Sequence, residues 1–98
     1  MTIATDHEVE AALAALPGWR RVGDALVRTM ELRDFDEAMR LAERVAAGAV
    51  DYGRRPDMCI SEFNHLRLSV ANLHHAGFTQ AELRLVEKVS EVLDEPRG

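Results

Sequence analysis

Leu66-Arg67-Leu68-Ser69-Val70-Ala71 decides the fold. Apolar residues alternate with polar or small ones at a period of two, the pattern of a strand with one buried face. Met58 to Phe63 reads as its partner, and Asn64-His65 turns the chain between them. A second hairpin lies upstream. Trp19-Arg20-Arg21-Val22 and Ala25 to Leu32 are strand-forming stretches joined by Gly23-Asp24, a turn dipeptide.

Helices flank and separate the hairpins. Thr5-Asp6-His7-Glu8, Asp34-Phe35-Asp36-Glu37 and Thr79-Gln80-Ala81-Glu82 each fit a capping box. In that motif the first side chain accepts from a backbone N–H of the opening turn, and the acid three residues on reaches back to the cap. An apolar stripe at helical spacing follows each box: Val9, Ala12, Leu13 and Leu16; then Ala38, Leu41, Ala42, Val45 and Ala49; then Leu83, Val86, Val89 and Leu93. Pro17-Gly18 closes the first helix, Gly53 and Pro56 bound the second, and Asp94-Glu95-Pro96 ends the third. The order is α-β-β-α-β-β-α. It predicts an α+β fold, a four-stranded antiparallel sheet with the helices packed on one face.

Composition narrows the function. The chain has 98 residues, the size of one domain, and 47% are apolar, enough for one modest core. Residues 1–98 are therefore read as a single domain. Twelve basic against seventeen acidic residues give a net charge of −5, which argues against nucleic acid as a direct ligand. A single cysteine, Cys59, excludes an internal disulfide and a cysteine-built zinc site. No apolar run approaches the ~20 residues that span a bilayer. Met1 to Asp6 carries no signal-peptide pattern, so a soluble, cytoplasmic protein is expected.

The middle helix holds Ala38, Ala42, Ala46, Ala47 and Ala49. Small side chains suit close packing on the sheet. In a second reading, Met39, Ala46 and Val50 form another apolar face, and a second copy of the chain covers it.

Four segments point to a family. Leu16-Pro17-Gly18-Trp19, Leu32-Arg33-Asp34-Phe35, Arg55-Pro56-Asp57 and Ala76-Gly77-Phe78-Thr79 come in the order and spacing of the pterin-4a-carbinolamine dehydratases. This family is also called the dimerisation cofactor of hepatocyte nuclear factor. The chain resembles it from about Val9 to Leu93. The resemblance implies the same α-β-β-α-β-β-α architecture and assembly into homodimers or homotetramers. It implies dehydration of 4a-hydroxytetrahydropterin to the quinonoid dihydropterin, with no metal and no organic cofactor. It also admits a non-catalytic role with a protein partner, since relatives serve in transcription-factor dimerisation or Rubisco assembly.

The family's chemistry needs a base for an N–H proton and an acid for the leaving hydroxyl, and imidazole suits both. Where the family has His-His-Pro followed by an acid, this chain reads Arg54-Arg55-Pro56-Asp57. Arginine stays protonated and does neither job. The further Thr-His position falls on Asn72-Leu73, with His74-His75 following at once. The stretch from Pro56 to Gly77 is one residue longer than in typical members, an excess placed near the hairpin.

Two readings follow. In one, His74 or His75 is the acid–base catalyst, and Arg54, Arg55, Pro56, Asp57 and Asn72 bind the substrate, a pterin or an anionic ligand. Two arginines facing one cavity would favour an anion between them. In the other, the site is degenerate and the domain is a binding or assembly module. A metal is not expected, because adjacent side chains of His74 and His75 point apart and no third ligand stands at a telling spacing. Cys59 is expected to fill core, His65 to sit in a turn, and Trp19 to anchor the core or cover a flat ligand. Asp57 either orients a pocket group or is a surface acid at a strand start.

Overall fold

The elements run α1 (Asp6–Ala14), β1 (Arg20–Val22), β2 (Ala25–Glu31), α2 (Phe35–Ala49), β3 (Asp57–Ser61), β4 (His65–Ala71) and α3 (Gln80–Leu93), with a 3-10 turn at Val50–Tyr52. The structure, a computed structural model, describes residues 3–72 and 77–96. The strands form one antiparallel sheet in the order β1-β2-β4-β3, so β4 lies inside it. This is the expected α+β order.

The register explains the layers. Leu26 faces Val70, Arg28 faces Leu68 and Met30 faces Leu66 across the β2/β4 ladder. Met58 and Ile60 continue the Leu68 and Leu66 rows on β3. Residues of these rows share one core with Val9 of α1, Leu41 and Val45 of α2, and Leu83, Val86, Val89 and Leu93 of α3. Leu26, Leu66, Leu68 and Val70 have no solvent exposure. Each such burial is worth roughly 1.5–3 kcal/mol, which makes these rows the principal hold on the sheet. Arg28 interrupts the apolar face, and its guanidinium reaches Asp94, the residue that caps the end of α3, at 2.8 Å.

The other face carries Arg20, Thr29, Arg67 and Asp57, all exposed, around buried Val27 and Ser69. Cys59 lies on this face opposite Arg67 and is an exposed free thiol. It does not fill core as expected, because the period of two gives the inward positions to Met58 and Ile60. His65 is not a turn residue either. It opens β4 opposite Glu31 and Ser61. The turn is instead Glu62-Phe63-Asn64, with Glu62 and Phe63 at φ 48° and 58°. Buried Asn64 fixes it by donating from Nδ2 to the Leu32 carbonyl at 2.9 Å.

The caps form as read, with one change. Thr5 and Glu8 cap each other reciprocally, as do Thr79 and Glu82. At α2, Asp34 accepts from the Glu37 N–H, which lowers its carboxyl pKa. Glu37 reaches one residue further back and accepts from the Arg33 N–H at 2.9 Å. The chain start joins the same end of the molecule as α3, since the Ala4 N–H donates to the Phe78 carbonyl at 2.8 Å.

Helices α2 and α3 pack closely at Gly48, where a Cβ would lie 3.0 Å from Val92 Cγ2. Gly48→Leu should therefore force the helices apart and destabilise the fold by ~1–3 kcal/mol. Urea unfolding with an unchanged midpoint would show that this contact is looser than it stands.

Candidate functional site

The Arg-Arg-Pro-Asp segment is delivered by the end of α2. The 3-10 turn Val50–Tyr52 stops at Gly53, whose φ of 79° is the left-handed conformation that glycine accepts without a Cβ penalty. The chain reverses there and enters β3 through buried Pro56.

Arg54 turns inward. Its Nη1 donates to the Ala71 carbonyl at 3.1 Å, at the end of β4, and to Glu82 Oε2 at 2.8 Å, in the first turn of α3. The pair is unequal in burial: the Arg54 side chain is 25% exposed and that of Glu82 is 6% exposed. Glu82 uses both oxygens. Its Oε1 accepts from the Thr79 N–H at 2.8 Å as the acid of the capping box. A buried carboxylate held by one cap bond still needs a counter-charge, and Arg54 supplies it.

Arg55 goes elsewhere. Its Nε donates to the Ala46 carbonyl of α2 at 3.2 Å, and the residue is exposed. Among the described residues the two guanidiniums thus have separate partners and do not converge on one acceptor. Asp57 is exposed on the second face of the sheet, opposite Ser69. Asn72 is half-buried and extends the β2/β4 ladder, its N–H donating to the Asp24 carbonyl at 2.6 Å. Leu73, His74 and His75 lie outside the described residues. Of the anticipated residues, the structure brings Arg54 and the end of β4 together, with Asn72 next along the strand.

Glu82 was legible only as a helix cap. The missed signal was its second oxygen: a capping-box acid on a helix buried along most of its length has one acceptor left to satisfy. Trp19 is buried in the core, not spread over a ligand face, and its Nε1 meets no acceptor among the described residues. Among the described residues, no group of three His, Cys, Asp or Glu side chains could hold a metal ion.

A groove of about 440 Å³ at the other end of α3, lined by Met30, Glu37, Leu93, Asp94, Glu95 and Pro96, competes as a site. Its acids have partners within the fold: Asp94 pairs with Arg28, Glu95 with Arg44, and Glu37 with the Arg33 N–H. The Arg54 junction is the better candidate, since one part-exposed cation joins three elements there.

The sequence and the α-β-β-α-β-β-α fold both match known proteins. The profile of the family described as pterin 4 alpha carbinolamine dehydratase matches residues 2–92. A protein of Thermomicrobium roseum named "Putative pterin-4-alpha-carbinolamine dehydratase" is 36% identical over 87 residues, 89% of this chain and 92% of that protein. One of the same name from Thermosynechococcus vestitus is 33% identical, over 87% of this chain and 88% of its own. A crystal structure of a transcriptional coactivator/pterin dehydratase from Brucella melitensis shares the fold, with a TM-score of 0.79 at 24% identity, covering 93% of this chain and 98% of that one. The chain belongs to the pterin-4a-carbinolamine dehydratase family.

The Arg54–Glu82 pair should couple energetically. A double-mutant cycle with Arg54→Ala and Glu82→Gln should give a coupling of ~1–3 kcal/mol in urea unfolding. High salt should leave most of it, because a pair this buried is screened little. A coupling near zero would show that the two side chains act independently.

Proposed function

We propose that this protein binds a pterin, or a similar flat heterocycle, at the junction of the Arg54–Asp57 segment with the end of β4. We further infer that it dehydrates 4a-hydroxytetrahydropterin much more slowly than relatives that keep the motif histidines. The observation that carries this reading is Arg54 itself. A guanidinium stands at a motif position where the reaction calls for imidazole, and it is committed to Glu82. It can neither take the N–H proton nor protonate the departing hydroxyl. Any remaining acid–base work falls to His74 or His75, with Arg55, Pro56, Asp57 and Asn72 contributing to binding. No step in this reading draws on a metal or an organic cofactor.

A direct assay of 4a-hydroxytetrahydropterin dehydration tests it. Turnover should lie ~10²–10⁴ below that of a member with intact histidines, the usual cost of a lost general acid or base. The double substitution Arg54→His and Arg55→His should raise it. Wild-type turnover equal to that of an intact member would contradict the reading.

A second reading, an assembly role that needs no imidazole, is favoured by the outer face of α2. Phe35, Met39 and Val50 are 49%, 39% and 55% exposed. With half-buried Ala42 and Ala46 they fall within an arc of about 80° on a helical wheel, beside the core-facing stripe. The alanines in the middle let two α2 helices cross closely in antiparallel, with Met39 over Ala46 of the other copy and Phe35 over Val50 at the flanks. The occupant is a second copy of the chain, in a homodimer or a higher homo-oligomer such as a tetramer. Light scattering at micromolar concentration should give at least a dimer, and Ala46→Glu should release monomer. A monomeric wild type would refute this assembly.

A further inference from the structure

Arg54 makes its two inward bonds with one nitrogen. Nη1 is planar and has two hydrogens; one meets the Ala71 carbonyl at 3.1 Å and the other Glu82 Oε2 at 2.8 Å. The two acceptors therefore form a receptacle for a planar –NH2 group. Both are fixed by other elements. Ala71 ends a paired strand, and Glu82 is held by the Thr79 N–H from within its own helix. The donor is the movable part. Arg54 lies in neither helix nor strand, follows left-handed Gly53, and keeps a quarter of its side chain in solvent.

This asymmetry has a chemical consequence. If Arg54 swings into water, its charge is hydrated and loses little. Glu82 stays buried, and the group that enters must donate N–H to it. A 2-aminopyrimidinone ring does so. Its exocyclic amino group and the adjacent ring N–H repeat the planar N–C–N donor edge of a guanidinium.

We propose that Arg54 is an internal pseudo-ligand, and that the exocyclic amino group of a 2-aminopyrimidinone, the pyrimidine half of a pterin, displaces its Nη1 from Ala71 and Glu82. This rests on the pterin-binding reading above and specifies it. Glu82 becomes the specificity-determining carboxylate, and Arg54 a plug that lowers affinity by the fraction of time it stays in place.

Fluorescence titration with two rings tests the proposal: pterin, which has the 2-amino group, and lumazine, which has a carbonyl oxygen there. Arg54→Ala should bind pterin about tenfold or more tightly than the wild type, as expected when an internal competitor held in place most of the time is removed. Lumazine should show no such gain, because its oxygen would face two acceptors. Adding Glu82→Gln to Arg54→Ala should abolish the gain. Equal pterin affinity in wild type and Arg54→Ala, or equal gains for both rings, would overturn the plug while leaving pterin binding intact. No binding of pterin to any form, wild type included, would remove both.

If Arg54→Ala does not fold, Arg54→Met keeps the aliphatic stem packed and takes its place. Melting of the wild type with millimolar ligand needs no variant: pterin must raise the midpoint more than lumazine, and equal shifts overturn the proposal.

Discussion

A carboxylate buried in the first turn of the last helix governs this site. Glu82 is placed there by the helix cap it forms with Thr79, and burial makes its charge costly unless a cation meets it. Arg54 comes from the far end of another helix to do so, and also takes the last carbonyl of β4. The loop after α2, the end of β4 and the start of α3 therefore close around one guanidinium. Arg54 thus sets a fixed positive charge where these three elements meet. That charge is a structural tie between the three elements.

The rest of the fold positions that tie. The alternation in β4 sends Leu66, Leu68 and Val70 into the core and leaves Ala71 at the strand's end, with its carbonyl toward Arg54. The contact at Gly48 seats the end of α2 against Val92, near the end of α3, and the chain leaving α2 runs from there to Arg54, beside Glu82 in the first turn of α3. Helix α2 does double duty. One stripe faces the core and its neighbour is open, which places the candidate assembly surface on the helix that leads into the candidate site. Arg55, bonded to the Ala46 carbonyl, lies where the two meet.

Much of this could be read from the sequence because it is local. Strand periodicity, three caps and the turn at Gly23-Asp24 each depend on residues a few places apart. The failures involve contacts that local patterns do not encode. Glu37 bonds the Arg33 N–H instead of its own cap, a choice between neighbouring donors made by side-chain rotamer. Cys59 is exposed because β3 is an edge strand whose outward row meets solvent, which composition alone does not reveal. His65 joins β4 because the turn ahead of it places Glu62 and Phe63 in left-handed backbone, a conformation ordinarily reserved for glycine or asparagine. The Arg54–Glu82 pair spans 28 positions of chain. Sequence named each member separately, one as a motif arginine and one as a cap. Only the sheet and helix packing joins them.

Arginine-selective NMR of the guanidinium reads that junction most directly. If Nη1 of Arg54 is held by Ala71 and Glu82, rotation of the group is slowed and its Nη signals are distinct, merging when Glu82→Gln removes the charge. A single averaged Nη signal for Arg54 in the wild type, unchanged by Glu82→Gln, would contradict a seated guanidinium and the site built around it.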